Sequence, residues 1–175
     1  MATVYIDIRF LSMKSKGEIL ASVLNNFKNC LFFLHNTRES DVVEKIINEG
    51  FIFENQLVHS TDRVNPAEPI EITYFLFLRK DYGPYTIVIA IPKITYENYS
   101  TLSVKNEESI EEVMTITKPY FSDNDELMFT VSPKHILGYF NNETTEFFQN
   151  RNWDPFFNNC LSNSQMKRNA KRGKK

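Results

Sequence analysis

Thr86 to Ile91 reads Thr-Ile-Val-Ile-Ala-Ile, a run in which nearly every residue is branched at Cβ. Such branching restricts χ1 against the turns of a helix and fits a pleated surface, so the run is a strand. Leu31 to Leu34 is a second short run, fully apolar, as a central strand is. Segments of the other period lie around these two. Ile19, Leu20, Val23, Leu24 and Phe27 recur at helical spacing within Lys16 to Asn29. Val42, Val43, Ile46 and Ile47 form the buried face of a helix from Asp41 to Glu49. Asp41 is placed to cap it, Glu44 to close a capping box, and Gly50 to end it as the C′ glycine. Elements of both kinds, with short strands, predict an α+β domain.

The remaining chain divides similarly. Val4 to Leu11 alternates Tyr/Asp and Ile/Arg as a strand does, and Phe51 to Phe53 and Leu57 to His59 read as short strand pieces. Asp62 to Pro69 carries two prolines and reads as a loop, and Tyr82-Gly83-Pro84 as a turn. Ile72 to Leu78 is apolar and aromatic, and its periodicity does not decide between helix and strand. Asn106 to Glu112 is acidic, a loop or a short helix. Leu127 to Val131 and Ile136 to Phe140 read as further strands, and no internal repeat is visible.

With 175 residues and 42% hydrophobic composition, residues 1–160 suit one globular domain. Cys30 and Cys160 have no CxxC spacing, which argues against a zinc site or a disulfide scaffold. The N-terminus lacks the basic flank and apolar block of a signal peptide, and no stretch approaches a membrane span. The expectation is a cytoplasmic protein with no membrane contact. Residues 161–175 form a basic tail holding Lys167, Arg168, Lys171, Arg172, Lys174 and Lys175. Of the 20 Lys and Arg, 14 remain outside it against 22 acidic residues, a net of −8. The tail reads as a solvated end or as a contact for nucleic acid or an acidic surface. Whole-domain nucleic-acid binding is not indicated, because the body shows no basic face.

Common catalytic signatures are missing: there is no GxSxG elbow, Walker loop, GxGxxG or HExxH. His35, His59 and His135 have no metal-ligand rhythm, and no metal site is predicted. His35-Asn36-Thr37 stands out because it follows an apolar strand and precedes a helix. A strand end beside a helix start presents backbone amides and two polar side chains to one ligand. Local features alone favour the plainer reading, in which His35 is a half-buried structural imidazole and Thr37 merely starts the turn. Trp153, Phe156 and Phe157 read as late core or a docking patch.

The order of motifs adds to this. A strand ending His-x-Thr is followed by a helix ending Gly50-Phe51, then Ser60-Thr61. Next come the turn and strand Tyr82-Gly83-Pro84-Tyr85-Thr86-Ile87-Val88-Ile89-Ala90-Ile91-Pro92, and then Asn124-Asp125-Glu126-Leu127-Met128-Phe129. From about Leu31 to Phe140 this order resembles the ADP-ribosyltransferase fold, in the histidine-type branch that includes the poly(ADP-ribose) polymerases. The resemblance implies a compact domain that takes NAD as substrate and cleaves its nicotinamide–ribose bond. Such a protein is a mono-ADP-ribosyltransferase or an NAD glycohydrolase, with a macromolecular acceptor in the first case. It implies that His35 bonds the nicotinamide ribose hydroxyls and Thr37 the carboxamide. It further implies that Glu126 stabilises the oxocarbenium-like transition state, and that Tyr74 or Tyr82 stacks on the nicotinamide ring. Asn36 departs from the pattern, which has glycine there, and a side chain at that position would bear on activity more than on fold.

Two other readings stand beside this one. Glu126 belongs to an acidic group with Asp123 and Asp125 at a strand start, where exposed charge ordinarily guards an edge. The whole chain also reads as a non-catalytic protein-binding or structural component that keeps the fold without the chemistry, docking through its aromatic C-terminal segment.

Overall fold

The two β-branched and apolar runs lie side by side at the centre of an antiparallel sheet. The computed structural model describes residues 8–160, with side chains from Ser12 onward. Strand β1, Cys30–Thr37, pairs along its whole length with β4, Tyr85–Pro92, in the register Cys30↔Pro92 to Thr37↔Tyr85. On the far side of β1 lies β3, Asp62–Val64, and beyond β4 come β7, Ile136–Asn141, and β8, Phe147–Gln149. A second sheet has the order β2-β6-β5, formed by Phe51–Glu54, Leu127–Val131 and Tyr120–Phe121.

Both faces of the larger sheet are buried, which is why β1 and β4 are nearly continuous apolar runs. Phe32, Leu34, Val88 and Ala90 pack against Leu20, Leu24, Ile72 and Leu76 of helices α1, Ile8–Leu24, and α4, Pro69–Leu78. Phe33, Ile87, Ile89 and Ile91 face the other way, onto Phe51, Phe53 and Phe129 of the smaller sheet. Helix α2, Ser40–Glu49, contributes Val43 and Ile46 to this second core, and α5, Lys93–Asn106, contributes Tyr99. The α+β class follows from this arrangement. Among the described residues no helix is long and apolar enough to cross a membrane.

Several local expectations are corrected. Residues 8–11 belong to α1 rather than to a strand, while Val4 to Asp7 lie outside the described residues, as does the tail 161–175. A short alternation yields here to continuous helix, which lies so close on α4 that a Cβ at Gly17 would meet Thr73 Cα at 2.9 Å. The same helix ends at Leu24, not Asn29. Leu57–Ser60 is a helical turn, α3, closed by the Thr61 N–H and hydroxyl on the Leu57 carbonyl. The first residues of the expected 62–69 loop form β3, because they reach the open edge of β1. Ile72 to Leu78 resolves as helix, with Pro69 in its first turn.

The Asp41–Glu44 capping box does not form. Helix α2 starts at Ser40 after an extended Glu39 without a side-chain cap. A capping box exists instead at α6, Ile110–Met114, between Ser109 and Glu112. Gly50 does end α2, at φ 107°, its N–H bonded to the Ile46 carbonyl. Strands β5 and β8 and helix α5 went unread. Helix α5 buries only Thr95 and Tyr99, leaving little periodic signal.

Candidate functional site

Strand β1 runs beyond the end of β3, whose pairing stops at Leu34↔Asp62. From His35 onward no strand among the described residues lies beside that edge of β1, and a cavity of about 300 Å³ opens there. His35, Asn36, Ser60, Thr61, Arg79 and Tyr82 are among its walls. A second cavity of about 440 Å³ lies along β2, between α2 and the start of β6, and is lined by Ile46, Phe51, Phe53 and Met128. His35 and Ser60 border both. One imidazole therefore stands between a polar chamber and an apolar one.

The orientation of His35 follows from its neighbours. Its Nδ1 lies 2.8 Å from the Ser60 carbonyl oxygen and its ring centroid 4.9 Å from that of Phe51. Burial pushes the imidazole pKa down; the Ser60 carbonyl partly opposes this and the Arg79 charge adds to it. The ring is therefore neutral at pH 7, with Nδ1 donating to Ser60 and Nε2 left as an acceptor. Ser60 is held in turn by α3, whose first amide, Leu57 N–H, donates to the buried Glu111 carboxylate at 3.3 Å.

Asn36 is turned away from His35. Adjacent strand residues point to opposite faces, so Asn36 shares the α4 face with Phe32 and Leu34. It is buried, donates from Nδ2 to the Arg79 carbonyl at 3.2 Å, and accepts from the Thr86 hydroxyl at 2.7 Å. Asn142 donates to that same hydroxyl at 3.1 Å. The side chain thus fastens β1 to the end of α4 and to β4. The residue in place of the pattern's glycine does not extend across the His35 face.

The polar chamber gains its charge from residues that sequence reasoning did not single out. Arg79 Nε lies 3.3 Å from Asp62 Oδ2, and the guanidinium sits 5.5 Å from the centre of the Tyr82 ring. Both members of the ion pair are substantially exposed, so the pair contributes little stability but leaves a cation facing the chamber. In the sequence Arg79 is one more cation after an apolar run. Only the helical state of 69–78 brings it beside His35.

The other expected site residues are dispersed to different degrees. Tyr82 lines the polar chamber, as does His59. Thr37 follows His35 on the same face of β1 but lines neither cavity, and Tyr74 is exposed on α4 and lines neither. Glu126 stands just before β6, two residues from Met128, in the strand that closes the apolar cavity. Its carboxylate accepts from Asn55 Nδ2, and its N–H donates to the Ser122 hydroxyl at 3.2 Å. Glu126 therefore lies past the Glu54 end of β2, whereas His35 meets Phe51 at the other end, and it lines neither cavity.

The aromatic C-terminal segment is mostly core. Trp153 donates its indole N–H to the Ala90 carbonyl at 3.0 Å and meets Phe27 edge-on, while Phe157 packs on His135. Phe156 alone of the three is fully outside. His135, in the turn before β7, is completely buried, with Nε2 2.7 Å from the Tyr99 hydroxyl. Comparison of the chain with protein-family models, with curated proteins and with solved structures found no match.

Proposed function

We propose that this protein consumes NAD, breaking the bond between nicotinamide and ribose and passing ADP-ribose to a macromolecular acceptor or to water. The observation that carries the reading is His35: a neutral imidazole, locked through Nδ1, at the wall between two adjoining chambers. A bare Nε2 is suited to accept from a ribose hydroxyl. The chambers on either side suit a ligand with two unlike halves, and Arg79 offers a cation to its anionic diphosphate. When the C1′–N bond breaks, its electron pair leaves with nicotinamide and positive charge passes to the ribose. The acceptor then attacks C1′ and gives up its proton. The resemblance, rather than the geometry, assigns Glu126 to that developing charge: its carboxylate lines neither cavity and bonds Asn55, past the end of β2 away from Phe51 and His35. The resemblance in motif order points the same way.

A second reading, a non-catalytic protein-binding or structural component that keeps the fold without the chemistry, also has an observation in its favour. Thr37, the residue expected at the carboxamide, lines neither cavity. Titration of NAD into the protein in a calorimeter separates the two, because only the first requires NAD to bind. The wild type is expected to bind, and His35→Ala to weaken binding about tenfold, the worth of one hydrogen bond to a buried site. Absence of any binding heat across several temperatures would remove the NAD reading.

A further inference from the structure

The apolar cavity is bounded by β2, which among the described residues is an edge strand of its sheet. In β6 the even-numbered residues direct their polar backbone away from β2. The Glu126 carbonyl accepts from Ser122 N–H at 2.8 Å, the Thr130 carbonyl from Ile116 N–H at 3.0 Å, and Thr130 N–H donates to Thr115 Oγ1. The odd-numbered residues face β2, as the 2.8 Å bond from Asn55 N–H to the Leu127 carbonyl confirms. With Phe51↔Val131 and Phe53↔Phe129 in register, Phe51 and Phe53 hold the ladder. Strict alternation in an antiparallel pair then turns the N–H and C=O of Ile52 and Glu54 outward, to an edge that no strand among the described residues covers. The groove along this edge is formed by Val42 and Ile46 of α2 on one side and ends at His35 and Ser60.

Charge gives this edge a direction. Glu49 and Glu54 line the groove with one cation, Lys45, and the chain off the end of β2 meets Glu126 through Asn55. Asp123 and Asp125 project from the same turn. We propose that the exposed edge of β2 is a docking site for an extended, basic segment of a protein partner, which adds as a strand beside Ile52 and Glu54 and is led toward His35. Main-chain bonds to the edge hold such a segment in any sequence, whereas the acidic rim selects lysine and arginine. The docking stands apart from the function proposed above, because a strand in this groove and half of an NAD molecule would compete for the same space.

The test is binding in the absence of NAD, so failure of NAD chemistry leaves it unaffected. Fluorescence anisotropy of a labelled short peptide alternating lysine and valine is compared with its glutamate–valine counterpart and with a lysine–valine peptide N-methylated on alternate amides. The basic peptide is expected to bind at least about tenfold more tightly than either control. It should also slow exchange of the Ile52 amide proton, which exchanges faster than those of Phe51 and Phe53 in the protein alone. Ile52→Pro removes an outward N–H without touching the ladder to β6, and should weaken the basic peptide about tenfold while the folded far-ultraviolet spectrum is kept. Equal affinity for acidic and basic peptides, no binding, or an Ile52 amide unaffected by the basic peptide each overturns the proposal. The exchange measurement decides even if the proline variant does not fold.

Discussion

Replacing Gly83 by alanine is expected to lower the melting temperature by roughly 10 °C, corresponding to about 4 kcal/mol in a chain of this size. The residue has φ 129°, a region that L side chains rarely adopt, and follows a tight turn at Lys80–Tyr82. A Cβ built there lies 2.3 Å from the Thr37 carbonyl oxygen and 2.5 Å from Arg38 Cα, both backbone atoms that cannot swing aside. The backbone strain costs about 1–3 kcal/mol and the overlap a similar amount. The Gly83 carbonyl also lies 3.5 Å from Asn36 Nδ2, so relaxation would pull on the residue that ties β1 to α4. Thermal unfolding followed by circular dichroism measures this. A shift of under about 2 °C would show that the turn accommodates a side chain and that its geometry is not fixed by β1.

The second large effect is acid destabilisation through His135. Burial pushes its pKa down to about 4, and the nearby Asp154 carboxylate opposes this only in part. Tyr99, Phe157 and the backbone of the turn surround the ring, and Nδ1 has no partner. Protonation would place a cation where only the Tyr99 hydroxyl and Asp154 could answer it. The sign follows directly. Between the unfolded value near 6.5 and the folded value near 4, the unfolded chain binds the proton and the folded chain does not. Stability is thus full above pH 6.5 and falls as pH drops through this window, by roughly 3 kcal/mol at its foot. His35, also lowered by burial, adds to the loss with the same sign. Denaturant unfolding between pH 7.5 and 4 should show this slope in the wild type and a clearly shallower one in His135→Gln. Parallel slopes would mean that His135 titrates normally in the folded protein.

The strands that build the central sheet could be read from residue type alone, because burial on both faces demands uninterrupted apolar side chains. Residues 31–34 of β1 and 86–91 of β4 are the clearest cases. The elements that were missed lack such a one-to-one demand. The Lys93–Asn106 helix fully buries only Thr95 and Tyr99, and the Asp62–Val64 strand exists because β1 offers it an edge. The candidate site divides on the same line. His35 stood out at the end of an apolar run, but Arg79 and Ser60 reach it only through a helix that could not be told from a strand and a helical turn that read as one. Asn36 looked like an obstacle when read as a position in a pattern; strand alternation turns it into a fastener on the opposite face. The roles proposed for His35 and Glu126 rest on the resemblance in motif order, since no local feature assigns them.

The most direct measurement is release of nicotinamide from NAD by the purified wild-type protein at neutral pH, with Glu126→Gln beside it. The account predicts release by the wild type and a fall of about 100-fold or more in the variant, as loss of a charge that acts on the transition state should give. A wild-type protein that releases no nicotinamide under conditions where NAD binds, or a variant that releases it at the wild-type rate, would contradict the account.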